Sequence, residues 1–412
     1  MIRQDFSVKT LLKITTRHEI IKFSLGRNKD EYKTTLSPIS DILSMNNINF
    51  NFNLIKNITI KNKKIYFTDD ACEHYALKSI SYNLNRLYKI SLQNRDDISE
   101  QISNLLETSS SYGIIKLDIK NFYESINFKK LILKLRSDML LSARLINVLD
   151  KLSMLGTEGL PRGLSISPVL SEIFIKKIDL EIKNIPGVYY YSRYVDDIFI
   201  ITTKNYDNIY NEIINIFDKY NLKTNKKLYK ENIPNVYTKN TLEKKFDHLG
   251  YKYIIKNHEY NRKRVVKIEL SDDKIRKIKT RIIHSLLDRA NNKSSQKIKK
   301  ELLIKRINIL SGNYPLFSNK KGNLKGGIYF SNKLVNNPGI FEQFNLFIKK
   351  SIFTKKNNFF GRSMKKIPLD EKVEICSICF RHGFKDRKFI SVSEKEMKEI
   401  KECWKNKNHK RK

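Results

Sequence analysis

The sequence predicts an α+β fold, because strand-like segments are interleaved with segments whose apolar residues recur at helical spacing. Three observations carry this prediction. A helical pattern follows the apolar strand GIIKLDI, and two short strands in Val188–Thr203 flank a pair of aspartates. A basic helical stretch then runs over Asp272–Leu310. With 412 residues, of which 40% are hydrophobic, the chain is long enough for a substantial core and several packed regions.

The predicted elements follow from local periodicity. Strands are predicted at Ile58–Ile60, Lys64–Phe67, GIIKLDI, both halves of Val188–Thr203, HLGYKYIIK and KRVVKIEL. Helices are predicted over Asp69–Tyr88, FKKLILKLRSDML, SPVLSEIFIKKIDLEIKNI, Tyr206–Tyr220 and Asp272–Leu310. The hairpin prediction puts the paired aspartates at a turn between two strands.

The charge of the chain is strongly positive. Lys and Arg number 80 against 43 Asp and Glu, which gives a formal net charge of +37. Because such an excess attracts polyanions, the sequence predicts a nucleic-acid partner. The stretch Asp272–Leu310 is amphipathic, with an apolar face of Ile275, Ile278, Ile282 and Leu286. This pattern fits a helix that grips a nucleic-acid backbone and equally fits an ordinary surface helix.

The compartment is indicated by hydropathy and cysteine content. No run approaches the roughly 18 apolar residues that span a bilayer, and the N-terminal residues lack the apolar core of a signal peptide. We therefore predict a cytoplasmic protein with no membrane partner. The four cysteines (Cys72, Cys376, Cys379 and Cys403) are too few for a disulfide framework. Cys376, Cys379 and His382 have part of a zinc spacing, but buried structural cysteines are the preferred interpretation.

Three aspartates indicate a metal site. Asp196 and Asp197 are adjacent at the predicted hairpin tip, and Asp118 lies near the end of GIIKLDI. Neighbouring carboxylates repel one another and resist burial unless a cation lies between them. Carboxylates at strand ends can converge on two Mg²⁺ ions roughly 3.5–4 Å apart, which can activate a hydroxyl and stabilise a leaving pyrophosphate. An aspartate-rich turn without metal is the alternative for the pair taken alone.

Four motifs then occur in an order known from one family. The successive palm motifs of reverse transcriptases are similar to LDIKNFYESI, GLPRGLSISPVL, YVDD and FDHLGY. This resemblance implies a right-hand polymerase fold: fingers over 1–112, an RRM-like antiparallel palm over 113–258, a helical thumb over 259–312 and a C-terminal extension over 313–412. It also implies an RNA-directed DNA polymerase with two Mg²⁺ ions, an RNA template, a DNA product and dNTPs as substrates. A primer 3′-hydroxyl would attack the α-phosphate of the deoxynucleotide.

The resemblance assigns roles to individual residues. The implied catalytic and metal-binding groups are Asp118, Asp196, Asp197 and the backbone carbonyl of Ile119. The implied nucleotide-binding residues are Tyr123, Arg95, Lys89, Arg162, Gly163 and Lys227, with Lys226 as the alternative to Lys227. Tyr123 would exclude a 2′-hydroxyl, although a core aromatic is the plainer interpretation of its position. Arg162 stands where many members have glutamine, and it cannot accept a hydrogen bond. The implied primer grip is Leu249, Gly250 and Tyr251.

A closer resemblance is to bacterial antiviral defence reverse transcriptases. The smaller polymerase of the type 3 systems is similar over about residues 110 to 340, through DIKNFYESI, GLPRGLSIS, YYYSRYVDDI, KIRKIKTRI, LSGNYPLF and GGIYFSN. It implies a bacterial enzyme that copies a noncoding RNA beside a second reverse transcriptase, with the oligomeric state open. Three alternatives remain: an untemplated terminal DNA polymerase of an abortive-infection system, a non-catalytic RNA-binding scaffold, and an RNA-dependent RNA polymerase. The last typically lacks a bulky residue at the Tyr123 position.

Overall fold

The fold is α+β with antiparallel sheets, as predicted. The computed structural model describes residues 4–45, 52–60, 62–91, 93–203, 206–225, 228–237, 243–258, 263–291, 295–316 and 324–405. Its strands are β1 (Ile55–Ile60), β2 (Lys63–Thr68), β3 (Tyr112–Asp118), β4 (Val188–Tyr194), β5 (Asp197–Thr202), β6 (Tyr229–Ile233), β7 (Glu243–His248), β8 (Tyr251–His258), β9 (Lys263–Leu270), β10 (Asn313–Pro315) and β11 (Lys325–Gly327). Its helices are α1 (Val8–Ile14), α2 (Arg17–Lys22), α3 (Lys29–Ser44), α4 (Ala71–Leu87), α5 (Arg95–Leu106), α6 (Phe122–Ser125), α7 (Phe128–Ser137), α8 (Ala143–Ser153), α9 (Ser167–Lys183), α10 (Tyr206–Lys219), α11 (Asp272–Asn291), α12 (Gln296–Ser311), α13 (Glu342–Ile352), α14 (Phe359–Lys365), α15 (Leu369–Ser377), α16 (Phe380–Lys385) and α17 (Glu394–Glu402), with a 3₁₀ turn at Pro338–Phe341.

Most of the predicted elements are confirmed, and two predictions need correction. The segment HLGYKYIIK is not one strand, because Leu249 and Gly250 have φ of 47° and 79° and form the turn between β7 and β8. The basic stretch Asp272–Leu310 forms two helices, α11 and α12, rather than one continuous pattern. The sequence did not indicate β6, because its segment YKENI is mostly polar.

The chain divides into two compact units, and the first comprises Met1–Asn94 with Ser111–Asn235. Its sheet has the strand order β4-β5-β3-β6, and helices α9 and α10 pack against it. Several apolar residues of the two central strands are at most 1% exposed: Ile114, Ile115, Leu117, Ile198 and Ile200. Since consecutive residues of a strand point to opposite faces, burial of both Ile114 and Ile115 means that both faces of β3 are covered.

The second unit comprises Arg95–Ser110 with Val236–Lys412. Its largest sheet has the order β7-β8-β9, and α5 packs against β9. Strand β9 alternates exposed and buried residues, so Val266, Ile268 and Leu270 face the core of this unit. The helices from α11 onward complete the unit. No helix in the described ranges is both long and apolar enough to cross a membrane.

Candidate active site

The sheet of the first unit brings the three predicted aspartates to one end. In the antiparallel register of β3 and β5, Asp118 is the direct partner of Asp197. Asp196 lies in the two-residue turn between β4 and β5, and its carbonyl accepts a hydrogen bond from the Ile119 N–H at 3.1 Å. The backbone register therefore brings the end of β3 beside the turn between β4 and β5, whatever the side-chain conformations.

The carboxyl groups at this end interact electrostatically. Burial raises the pKa of the Asp196 carboxyl above its ordinary value, and the negative charge of Asp118 raises it further. The positive charges of Arg162 and Lys63 act in the opposite direction on the same carboxyl. Asp196 is therefore a carboxylate that gains from a nearby cation, which is the property expected of a metal ligand.

Asn225 is a further residue of this site, and it was not predicted. Its backbone N–H donates to the Asp118 carbonyl at 2.8 Å, and its side-chain Nδ2 donates to Asp118 Oδ2 at 2.9 Å. The two residues are 107 positions apart, so no local pattern indicates their contact. Asn225 therefore orients the Asp118 carboxylate through Oδ2.

The donor set has the chemistry that a hard divalent cation prefers. Mg²⁺ takes carboxylate oxygens together with waters and substrate phosphates, rather than a cage made only of protein groups. In the described ranges, no group of three or more His, Cys, Asp or Glu side chains is arranged to hold a metal ion. Two aspartates opposite each other and a third in the adjoining turn fit an ion site completed by the substrate.

The predicted sugar gate, Tyr123, is packed against Arg162. The Arg162 guanidinium carbon lies 4.9 Å from the centre of the Tyr123 ring, within cation–π range. The same guanidinium donates from Nε and Nη2 to the two carboxylate oxygens of Glu124, each at 3.1 Å. Burial opposes ionisation of Glu124, but the hydrogen bonds from Arg162, a backbone hydrogen bond and the positive charges of Arg162 and Lys63 together hold the Glu124 pKa below its ordinary value. Arg162 is thus fixed by its neighbours in a bidentate pair.

The glycine-containing loop that carries Arg162 lies close to the backbone of two other segments. At Gly159, a Cβ would lie 2.4 Å from the Tyr123 carbonyl oxygen, and Leu160 N–H donates to that oxygen at 2.9 Å. At Gly163, which has φ of +105°, a Cβ would lie 2.5 Å from the carbonyl oxygen of Tyr66 in β2. Glycine permits both approaches. The loop therefore joins the β1–β2 hairpin to the segment that carries Tyr123.

Lys63 is a second residue that the sequence reasoning missed. It begins β2 in the β1–β2 hairpin, and its positive charge opposes the rise in the Asp196 pKa and contributes to the lowered Glu124 pKa. Lys89, predicted to bind triphosphate, lines a cavity of about 410 Å³ together with Arg193 and Val195, and its role stays a prediction. Lys226 and Lys227 lie outside the described residues.

The remaining predicted residues belong to the second unit, which brings them together. Leu249 and Gly250 form the β7–β8 turn, and Tyr251 begins β8. Arg95 Nη2 donates to the Tyr251 hydroxyl at 3.2 Å and to the Ser331 carbonyl at 2.9 Å. The predicted primer grip and the predicted triphosphate-binding arginine are therefore neighbours in this unit, and their roles stay predictions.

Lys274, in the first turn of α11, completes the second-unit cluster. Its Nζ lies 4.7 Å from the centre of the Tyr251 ring and donates to Asn332 Oδ1 at 2.7 Å. Burial and the positive charge of Arg95 lower the pKa of Lys274 to about 7. The stem of Lys274 packs closely against the β7–β8 turn, because a Cβ at Gly250 would lie only 2.6 Å from Lys274 Cε.

The C-terminal cysteines differ in burial. Cys403 is buried, as predicted. The prediction is wrong for Cys376 and Cys379, which are partly exposed because they lie where α15 ends and α16 begins. Asn345 Nδ2 donates to Cys379 Sγ at 3.3 Å.

Comparison with known proteins identifies the family of the central region. Residues 70–253 match the family described as "Reverse transcriptase (RNA-dependent DNA polymerase)". Among solved structures, the chain is similar to telomerase from Candida albicans in complex with a TWJ fragment of telomeric RNA, with 13% identity, 85% of this chain and 64% of that chain covered, and a TM-score of 0.37. It is also similar to apo telomerase from Candida tropicalis, with 15% identity, 80% and 56% covered, and a TM-score of 0.34.

The telomerase matches have a limited meaning. The C-terminally truncated apo telomerase of Candida tropicalis gives 16% identity, 48% and 45% covered, and a TM-score of 0.32. The chain spans less than two thirds of each of these telomerase chains. With TM-scores below 0.5, they support no conclusion about this chain. The family match is confined to residues 70–253, less than half of the chain, and this region is similar to the reverse transcriptase family.

Proposed function

We propose that this chain copies RNA into DNA by two-metal nucleotidyl transfer at the Asp118–Asp196–Asp197 end of the first-unit sheet. The observation that carries the proposal is the β3–β5 register, which pairs Asp118 with Asp197 and leaves Asp196 in the adjoining turn. The raised pKa of Asp196 supports it, because a carboxylate destabilised by burial and by a second carboxylate gains most from a bound cation.

Each residue of the site has a role in this proposal. Asp118, Asp196 and Asp197 would hold two Mg²⁺ ions, with the Ile119 carbonyl as a further ligand. The ions, when bound, activate the primer hydroxyl and neutralise the pyrophosphate that leaves. Asn225 orients Asp118 through the hydrogen bond to Oδ2. This orientation keeps the other carboxylate oxygen directed away from Asn225.

The nucleotide would bind between the cations and the Tyr123 ring. Lys63 and Arg162 contribute positive charge beside Asp196, which suits a triphosphate, and Arg95, Lys89, Gly163 and Lys227 stay additional candidates from the motif pattern. Tyr123 is held by contact with Arg162, so its ring can reject a 2′-hydroxyl without moving aside. Because Glu124 occupies the Nε–Nη2 edge of Arg162, that arginine would face a phosphate through its Nη1 side while Glu124 supports it.

We further propose the hand-like arrangement that the motifs imply, with fingers, palm, thumb and C-terminal extension at the boundaries given above. Leu249, Gly250 and Tyr251 would grip the primer. The basic α11 and the net charge of +37 support an RNA template and a DNA product as partners. The motif pattern also supports the finer proposal of a bacterial defence enzyme that copies a noncoding RNA beside a second reverse transcriptase.

The test is DNA synthesis by purified wild type and by Asp196→Asn, each with its co-purifying nucleic acid, Mg²⁺ and labelled deoxynucleotides, supplied singly and together. The substitution preserves volume but weakens a metal ligand, so we expect a folded protein without incorporation. Asp150→Asn is the matched control, because Asp150 pairs with Arg136 at 2.6 Å on a helix surface of the same unit. We expect it to retain activity.

The pattern of products separates the alternatives. Synthesis that requires all nucleotides and stops after RNase pretreatment supports copying of RNA. Synthesis from a single nucleotide that survives RNase indicates an untemplated terminal polymerase. Incorporation by Asp196→Asn at the wild-type rate would exclude the metal assignment, and no synthesis by the wild type under any mixture would favour a scaffold.

A further inference from the structure

The side chain of Arg193, at the end of β4, is almost completely buried, with 8% of it exposed. Its Nε and Nη2 donate to the two oxygens of Asp179, both at 2.9 Å. Its Nη1 and Nη2 donate to the oxygens of Glu172 at 3.0 and 2.7 Å. Both acids lie on α9, seven residues and therefore about two turns apart, so they share one face of that helix.

The same guanidinium reaches the turn that carries Asp196. Arg193 Nη1 donates to the Val195 carbonyl at 2.9 Å. Val195 is the first of the two turn residues and has φ of +61°. This conformation is rare for a β-branched residue, and glycine is the usual residue in a two-residue turn with positive φ at this position. Such a conformation persists only where the surroundings impose it.

We propose that Arg193 is a positioning residue of the proposed polymerase reaction: held by Glu172 and Asp179, it fixes the Val195 carbonyl and so the turn from which Asp196 and Asp197 present their carboxylates. The inference rests on the proposed function. Arginine suits this position because its rigid planar fork has five donors and can pair with two carboxylates and a carbonyl in fixed geometry, whereas a lysine ammonium is a point charge with three donors on a flexible stem. Two carboxylates outweigh one guanidinium charge, so Arg193 does not act on substrate phosphate.

The first test compares Arg193→Lys with Arg289→Lys. Arg289 is a matched control, since its side chain is 3% exposed and it forms a bidentate pair with Glu371 at 2.7 and 2.5 Å in the second unit. Both substitutions should lower thermal stability. We expect only Arg193→Lys to lower kcat on the order of tenfold and to raise the Mg²⁺ concentration for half-maximal extension severalfold, with the KM for primer–template unchanged. An unchanged Mg²⁺ requirement in Arg193→Lys would overturn the inference.

A second test uses the backbone strain itself. Glycine adopts positive φ without cost, so Val195→Gly should make the turn less dependent on its support. If Arg193 acts through the turn, the loss in Arg193→Lys/Val195→Gly should be severalfold smaller than the product of the two single losses. A loss equal to that product would overturn the inference, because it would mean that the two residues act independently.

Folding and function can be separated from positioning. If Arg193→Lys does not fold, Glu172→Gln takes its place, because it removes one charge while Asp179 and the Val195 contact remain. In the wild-type background, Glu172→Gln should raise the Mg²⁺ requirement by more than twofold to threefold. In the Val195→Gly background the rise should be smaller than that. Equal effects in both backgrounds would refute positioning. A wild type that makes no DNA refutes the proposed function and this inference with it, whereas active wild type with an unaltered Arg193→Lys refutes the inference alone.

Discussion

Two glycines before Arg162 offer a sharp test of how the loop supports Tyr123. Gly156 and Gly159 both have φ of +66°, but nothing lies within 4 Å of a Cβ built at Gly156. A Cβ built at Gly159 lies 2.4 Å from the Tyr123 carbonyl oxygen and 2.5 Å from that of Glu124. Alanine at either position meets the same backbone strain, and only alanine at Gly159 collides with the backbone of the candidate site.

The magnitudes follow from these contacts. A left-handed conformation costs a residue with a Cβ about 1–2 kcal/mol, so Gly156→Ala should lower the free energy of unfolding by that amount. At Gly159 the collision requires a shift of at least about 0.6 Å, the difference between 2.4 Å and the 3.0 Å that real Cβ contacts keep. Forced displacement of packed groups adds about 1–3 kcal/mol, giving about 2–5 kcal/mol in all for Gly159→Ala. The hydrogen bond from Leu160 to Tyr123 should weaken as well.

The assay is urea unfolding together with primer extension by each variant. Because a misplacement of about 1 Å at a reacting centre can cost on the order of a hundredfold, we expect Gly159→Ala to lose about tenfold in kcat/KM for dNTPs. Gly156→Ala should stay within about twofold of the wild type. If both variants lose the same stability and the same activity, the contact between this loop and Tyr123 does not support the site.

Two further predictions concern single side chains. Tyr123→Ala should admit ribonucleotides, measured as a fall in the ratio of kcat/KM for dNTP to that for rNTP; an unchanged ratio would remove Tyr123 as the gate. Between its folded-state pKa of about 7 and the ordinary value of 10.5, Lys274 is protonated in the unfolded chain and neutral in the folded protein. The free energy of unfolding should therefore rise with pH across this window, by at most about 1.4 kcal/mol per pH unit, with Arg95 and Asp96 as the charged neighbours. Lys274→Met should flatten that rise in urea titrations at pH values above 7, and an equally steep rise in the variant would contradict the assignment.

Local sequence determined the elements that present the aspartates. The apolar run before Asp118 forms β3. The two strands β4 and β5 form a hairpin with Asp196 and Asp197 at its tip, as expected from period-two patterns. Where the pattern was polar, as in β6, no strand was predicted, because pairing with β3 rather than intrinsic preference stabilises it. The residues that resemble the family motifs could likewise be named from their order alone.

Tertiary structure decided the partners of those residues. Arg162 binds Glu124, 38 residues away, and Asn225 binds Asp118, 107 residues away. Arg193 meets Glu172 only because α9 packs beside β4. A charged or amide side chain can form hydrogen bonds with many different partners, and the local sequence does not determine which one. The partner depends on which segments the packing brings within about 3 Å. The sequence therefore determined which groups the site contains, and the packing of distant segments decided how each group is held.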